Sequence, residues 1–319
     1  MIQFIWEKKG KIFDPTGVSP FMQNYAQNPN AIDLGDKIRV YFSTRPQKSV
    51  DDSFVSYTSF VDFDRNDLSR ILYVHKEPVL HLGNPGDFDQ FGIMPGSIVQ
   101  LKEKNEIWLY YVGWTRMYAV PYNWAIGLAI STDDGYSFKR FGKGPIAGAI
   151  NNEPYLQACP RVFRLSEGNW IMWYQGGLRW NEFEGHMESV YVTMFATSDD
   201  GINWKRDGKQ VIPSLFNEEC QTSANVIEYD GIYHMFFSYR HGIDFRNIAN
   251  GYRIGYACSI DKITWTRDDK RAGIGISAEG WDSEMICYPH ITKIGTDLVM
   301  FYCGNYFGKD GFGYAILKK

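Results

Sequence analysis

The sequence has no apolar run approaching the roughly 18 consecutive residues that a membrane-spanning helix needs. Its first residues, MIQFIWEKKGK, contain no apolar signal core, so a soluble chain retained in the cytoplasm is the expectation. Basic charge is not in excess: 33 Lys and Arg stand against 37 Asp and Glu, for a net charge of −4. A nucleic-acid binder needs a basic patch or stripe, so that class is set aside. Cysteine is sparse. Five residues, an odd number with no CxxC pair, argue against a disulfide framework or a cysteine zinc site. The six histidines show neither HxH nor HExxH spacing, which argues against zinc held by histidine.

Aromatic residues are abundant. Tyr (21), Phe (21) and Trp (10) make up 16% of the chain, a load that suits pleated sheets and sugar-stacking sites. Length alone, at roughly 150 residues per domain, suggests two domains, a prior that β folds often override. The aromatics are not scattered. Five segments share one alternating pattern: IRVYFSTR (from Ile38), IWLYYVGW (from Ile107), WIMWYQGG (from Trp170), YHMFFSYR (from Tyr233) and LVMFYCGN (from Leu298). Their matching aromatics, Phe42, Tyr111, Tyr174, Phe237 and Tyr302, are spaced by 69, 63, 63 and 65 residues. Each copy follows a short apolar strand and a tight turn, and precedes a third strand carrying a small residue.

A fourth strand follows three of the copies: SFKRFGKGPI (from Ser137), NWKRDGKQVI (from Asn203) and TWTRDDKRAG (from Thr264). The fifth copy reaches Lys319 without one, and WEKKGKIF (Trp6 to Phe13) has the missing pattern. Period and strand count predict an all-β five-bladed β-propeller, with four antiparallel strands per blade and the N-terminal strand closing the last blade. One domain, 1–319, is expected, with blades near 30–75, 95–145, 160–213, 224–270 and 289–319 plus 3–13. Such closure removes an exposed sheet edge. Two turns, STDDGYSF (Ser131 to Phe138) and TSDDGINW (Thr197 to Trp204), fit the sialidase-type Asp-box. They are read as structural: Asp caps turn amides, Gly takes the positive φ and the aromatic packs between strands.

In a propeller the loops leading into the first strand of each blade share a face with those joining its second and third strands. Aligned first strands start at Asn30, Gly96, Arg161, Asn225 and His290. Seven or eight residues upstream lie Gln23, Asp89, Glu153, Glu218 and Asp282, four of them carboxylates. The other loop set adds Arg45, Trp114, Arg116, Gln175, Arg179, Arg240, His241 and Asn305. A bowl of carboxylates, arginines, histidines, amides and aromatics suits a hydroxyl-rich or anionic sugar. Carboxylates accept from sugar hydroxyls, arginines bind phosphate or carboxylate, and Trp or Tyr stacks on the ring. Asp89, Glu153, Glu218 and Asp282 are the candidate catalytic groups. Asn30, Arg45, Trp114, Arg161, Gln175, Asn225, Arg240, His241 and His290 are the candidate substrate-binding set. No cofactor is expected beyond a calcium ion that a carboxylate ring at the channel centre would hold.

The repeats resemble the five-bladed glycosidases: the arabinanase/β-xylosidase-like and invertase/levansucrase-like families and the mannoside phosphorylases. NPNAIDLGDKIRVYFSTR (from Asn28) is similar to the mannoside-phosphorylase segment around its Asn-Pro. CPRVFRLSEGNWIMWY (from Cys159) is similar to the arabinanase segment running Asp-Pro-x-Val-Phe. The resemblance spans the chain and implies a carbohydrate-active enzyme. It implies an Asp before the first strand of blade 1, another in blade 3 and a Glu in blade 4. Here those places carry Asn28, Cys159 and Ser223, and the invertase-like motifs are absent. The phosphorylase pattern, one proton donor with a phosphate-binding Arg/His set, fits Arg45, Arg161, Arg240, His241 and His290.

Glycoside cleavage usually takes two carboxyl groups, whose separation decides retention or inversion. Cysteine chemistry at Cys159, Cys220 or Cys287 is the second route, set against the ordinary role of free Cys as an apolar core residue. Two functions stay open. One is an enzyme of glycosidase type, cleaving or transferring a glycosyl unit of an intracellular oligosaccharide or sugar nucleotide. The other is a glycan-binding or scaffold propeller in surface-polysaccharide metabolism.

Overall fold

A computed structural model describes residues 3–47 and 55–318. Met1, Ile2, residues 48–54 and Lys319, all inside the expected domain range, lie outside the described residues. Five four-stranded antiparallel sheets form the ring. Blade 1 runs Asn24–Asp33, Lys37–Arg45, Tyr57–Asp64 and Ile71–Val74 from the axis outward. Blade 2 runs Gly92–Leu101, Glu106–Arg116, Tyr122–Ser131 and Lys139–Arg140. Blade 3 comprises Gln157–Ser166, Asn169–Phe183, His186–Ser198 and Lys205–Gln210. Blade 4 comprises Cys220–Tyr229, Ile232–Arg240, Arg253–Ser259 and Thr266–Arg267. Blade 5 is Cys287–Ile294, Asp297–Cys303 and Phe312–Leu317, and its outermost strand is the N-terminal Trp6–Phe13. Among the described residues no helix is long and apolar enough to cross a membrane.

The repeated aromatics explain why the sheets pack as a ring. Successive side chains on a strand point to opposite faces, so a doubly buried strand reads as a continuous apolar run. Each second strand carries two adjacent aromatics at its centre. Phe42 packs toward blade 5 and Tyr41 toward blade 2; Tyr111 faces blade 1 and Tyr110 faces blade 3. Tyr174 and Trp173, Phe237 and Phe236, Tyr302 and Phe301 continue the alternation round the ring. The core is therefore five apolar wedges between blades.

The Asp-box turns stitch these wedges. Asp200 Oδ1 accepts from the amides of Ile202 and Asn203, both at 2.8 Å, and Gly201 takes φ +76°. Tyr110 of blade 2 donates to the carbonyl of Gly201 in blade 3, and Tyr41 of blade 1 to that of Gly135 in blade 2. A third such turn, at Ser259 and Asp261, has Lys262 at positive φ where the others have Gly.

Candidate functional site

All five innermost strands carry a one-residue β-bulge near their start, at Gln27/Asn30, Pro95/Ser97, Ala158/Arg161, Thr222/Asn225 and Cys287/His290. A bulge bends the strand and re-aims the side chain beside it. In four of the five the bulge holds a non-glycine residue at positive φ: Asn28 (53°), Cys159 (44°), Ser223 (51°) and Tyr288 (57°). Left-handed backbone at an L-residue is strained, and such strain concentrates at functional sites. Three of these residues are those that sequence similarity aligns with the catalytic carboxylates of arabinanase-like enzymes. The structure gives them one repeated position in the ring, and none carries a carboxyl group.

Arg161 crosses the channel. Only 2% exposed, it donates from Nη1 to the Gly96 carbonyl (2.8 Å) and to Asn30 Oδ1, and from Nη2 to Asn28 Oδ1 (3.4 Å). Its remaining partner is His290 Nδ1, at 3.2 Å. A guanidinium can only donate, so Nδ1 accepts and the histidine proton sits on Nε2, which donates to the Ala31 carbonyl at 3.0 Å. Burial, then the Arg161 charge, push the His290 pKa down to about 3, while the bond to Ala31 opposes the shift; the ring is neutral. Burial also lowers Arg161 to about 10, which leaves it charged at neutral pH. Every acceptor around Arg161 is neutral, and no carboxylate among the described residues pairs with it. A buried cation with no counter-ion is costly and calls for an anion.

Above this layer a cavity of about 510 Å³ opens at the mouth. Among the described residues its walls are Arg45, Arg116, Arg246, Tyr25, Trp114, Tyr122, Trp124, Phe307, Met94 and Pro121, none of them acidic. Met94, in its wall, lies two residues before Gly96, whose carbonyl Arg161 binds, in one strand. The Arg45 guanidinium stacks 4.4 Å from the Tyr25 ring centre, and Trp114 Nε1 donates to Ser56 Oγ at 2.8 Å. At Gly92 the Trp114 ring fills the space a Cβ would need, so only glycine admits this rotamer. Arg246 pairs with Glu188, a carboxylate 6% exposed at the rim.

The expected carboxylate ring is a different device. Asp89 accepts from Arg140 Nε and the Tyr111 hydroxyl, both at 2.9 Å. Glu153 accepts from Arg206 (2.8 Å), and Asp282 from Lys8 (2.7 Å) and the Tyr302 hydroxyl (2.9 Å). In blade 4 the matching residue is Glu219, not Glu218. It accepts from Arg267 (2.6 Å), the Leu215 amide and the Gln221 amide group, both at 2.9 Å. Glu218 stands outside, 3.3 Å from Arg179. The cation in each clasp lies on the outermost strand of the same blade. These carboxylates therefore tie the approach loop to the blade's rim, and no two share a partner. Burial raises the Glu153 pKa against the pull of Arg206. Among the described residues no group of three His, Cys, Asp or Glu stands together as metal ligands.

Of the other sequence candidates, Asn30, Arg161 and His290 meet in the channel, and Arg45 and Trp114 meet at its mouth. Gln175 accepts from Thr222 (2.6 Å), and Asn225 from the Ile291 amide (3.0 Å), so each links two blades. Arg240 anchors the loop that follows it, bonding the His241 and Gly242 carbonyls over the Phe245 ring. His241 is exposed and stacks on Phe216 at 4.3 Å. Cys220 and Cys287 are fully buried and their thiols are pushed up by burial, in keeping with core packing. Sequence reasoning missed Tyr25, Tyr122, Trp124, Arg246, Phe307 and the rim residue Glu188. For all but Tyr25, which lies in the first strand of blade 1, the signal was the unequal length of the loops after the second strands.

No family model matches the chain. Solved structures share the ring closely. One described as "Glycoside hydrolase" superposes with a TM-score of 0.76 at 18% identity, covering 99% of this chain and 93% of that one. A thermostable family-43 glycoside hydrolase gives 0.67 at 16% identity, covering 93% and 90%. A structure described under "The GH130 family of mannoside phosphorylases contains glycoside hydrolases that target beta-1,2 mannosidic linkages in Candida mannan" gives 0.68 at 15%, covering 99% and 94%. At these identities the likeness is one of fold, and the fold is that of carbohydrate-active enzymes. In sequence, the uncharacterized protein Rv1502 of Mycobacterium tuberculosis (strain H37Rv) is 33% identical over 315 residues, 98% of this chain and 99% of the relative. The chain therefore belongs to the family of that mycobacterial protein, a family built on the five-bladed glycosidase propeller.

Proposed function

We propose that the protein recognises an anionic carbohydrate at the channel mouth and does not cleave it by a two-carboxylate route. One observation carries this reading: Arg161, buried in the channel, has only neutral acceptors and no carboxylate partner among the described residues, and it lies beneath a mouth whose described walls hold arginines and aromatics. Arginine takes the planar phosphate or carboxylate of a sugar in two parallel hydrogen bonds, and an aromatic takes the ring's C–H face. The clasped carboxylates are already engaged by cations, and the three bulge positions offer Asn, Cys and Ser. The ligand class is a uronate-bearing or phosphorylated sugar, sugar nucleotides included.

The test is calorimetric titration with matched pairs of glycosides, methyl glucoside against methyl glucuronide and methyl glucoside against its 6-phosphate, each followed by NMR for product. Binding of the charged members alone, weakening with salt and without turnover, is the expected result. Equal binding of neutral sugars, or glycosidic cleavage in water, overturns it. Glu188 favours a second reading, because one buried carboxyl group beside Arg246 suffices for phosphorolysis when phosphate itself is the nucleophile. Product formed only with phosphate, and lost in Glu188→Gln, supports that reading.

A further inference from the structure

The stitch between blades fails at one wedge. The second strands of blades 1, 2 and 3 carry Tyr41, Tyr110 and Trp173 at the same place, each facing the next blade. Tyr41 and Tyr110 donate to the carbonyls of Gly135 and Gly201 in that blade's turn. A Cβ on either glycine would collide with the tyrosine hydroxyl, so the stitch itself demands glycine. In blade 4 the equivalent carbonyl is that of Lys262, and Trp265 Nε1 of the same blade donates to it at 3.1 Å. Trp173, only 1% exposed, is left with an indole N–H that finds no acceptor among the described residues. With no hydroxyl to exclude a side chain, the turn carries a lysine at φ +69° in place of glycine.

A cavity of about 700 Å³ lies where the stitch is missing. The mouth is lined by the starts of innermost strands, and this cavity by the ends of those of blades 3, 4 and 5. Its volume is within the roughly 300–1,000 Å³ of a pocket for one compact ligand. Trp173, Phe163, Val226, Ile291 and Leu298 give it an apolar lining. Its charges are two lysines, Lys262 and Lys293, against one carboxylate, Glu228. Lys262 Nζ lies 4.1 Å from the Tyr233 ring centre, and neither lysine has an ion-pair partner among the described residues. The cavity therefore holds donors in excess of acceptors, one of them a buried N–H that is costly to leave unpaired.

We propose that this cavity binds a small aryl carboxylate, at a site separate from the sugar-binding mouth. The ring occupies the apolar lining, the carboxylate meets Lys262 and Lys293, and a second acceptor at the far end of the ring takes the Trp173 N–H. A neutral apolar ligand would leave the lysines and the indole without acceptors, and a sugar would press its hydroxyls against apolar walls. The inference does not depend on the anionic-carbohydrate reading, because none of the residues that carry it lines the mouth.

The experiment titrates 4-hydroxyphenylacetate and its neutral methyl ester into the nitrogen-15-labelled full chain and follows the indole N–H signals by NMR. Trp173→Phe identifies the signal of Trp173 by its loss. The acid is expected to move that signal saturably, and the ester to bind more weakly. Lys262→Gly restores the residue of the other two turns, and glycine takes a positive φ without strain, so this variant keeps the fold. It is expected to weaken the acid about two- to fivefold and leave the ester unchanged. An ester that binds as tightly as the acid, or an acid that binds equally to wild type and Lys262→Gly, overturns the anionic ligand. A Trp173 signal that neither probe moves at millimolar concentration overturns the site.

Discussion

The clasps and the mouth are both built from charged residues near the ends of strands, and they obey opposite rules. Asp89, Glu153, Glu219 and Asp282 recur at one position in four blades, each neutralised by a cation of its own blade. Arg45, Arg116, Arg161 and Arg246 have no common register: two end or overrun second strands, one crosses the channel and one rides a loop. In a fold made by repetition, a polar group that obeys the repeat stabilises the repeated unit. A polar group that breaks the repeat is placed by something other than the repeated unit, and Arg161, with neutral acceptors only, is the clearest case.

The largest effect that breaks this comparison is at Glu219. The side chain is fully buried, and its removal leaves Arg267, only 2% exposed, facing Asp269 alone. Breaking a buried pair from one side costs about 3–5 kcal/mol. Glu219→Ala is expected to lower the melting temperature by several degrees while the folded fraction keeps its affinity for acidic sugars. An unchanged melting temperature with lost affinity would move the clasp into the site. Arg45→Met is the mirror experiment. Loss of one charge-assisted hydrogen bond of about 1.5–3 kcal/mol weakens an anionic ligand about 10- to 150-fold. The denaturation midpoint should fall less than in Glu219→Ala; a larger shift there, with affinity intact, makes Arg45 a scaffold residue.

The ring was legible in the sequence because its cause is local and repeated. Paired aromatics such as Tyr110–Tyr111 and Phe236–Phe237 must bury both faces of a strand, and only neighbouring blades can cover them. The same regularity misled the reading of the site. A carboxylate seven or eight residues before each first strand is visible as spacing, but its partner, such as Arg140 for Asp89, lies 51 residues on. Both were seen, in strings that resemble one another, without the contact that joins them. The one-residue slip from Glu219 to Glu218 arose because two adjacent glutamates stand near the expected spacing, and only the contact with Arg267 tells them apart. The mouth residues Arg246 and Phe307 belong to loops of unequal length, where no period constrains a prediction.

The channel layer makes a smaller, pH-dependent contrast. His290 has a folded pKa of about 3, lowered by burial and by Arg161, against about 6.5 when unfolded. Between those values the unfolded chain binds a proton that the folded chain does not, so stability falls as pH drops below about 6.5. At pH 5 the loss is roughly 1–2 kcal/mol, allowing for partial solvent access. Urea titrations at pH 7 and 5 should show this loss in wild type and a smaller one in His290→Asn. Equal losses in both proteins would mean that the ring titrates normally and that the channel is not hostile to charge.

The smallest effect sharpens the clasp itself. In blades 2 and 5 a tyrosine hydroxyl completes it, from Tyr111 to Asp89 and from Tyr302 to Asp282. Blade 4 has Phe237 at that place, fully buried, and Glu219 there already accepts from three donors. Asp269 supplies a second carboxylate: a Cβ on Gly255 would lie 2.6 Å from Phe237 Cζ and 2.9 Å from Asp269 Oδ1. These two distances bring the Cζ end of the ring near the Asp269 carboxylate, which can accept from a hydroxyl added there, and a satisfied hydrogen bond offsets the hydroxyl's desolvation. Phe237→Tyr should change stability by less than about 1 kcal/mol and leave sugar affinity untouched. A buried hydroxyl with no partner costs about 1–3 kcal/mol instead. A loss of that size would show that blade 4 departs from the shared clasp at its acceptors, not merely at one ring substituent.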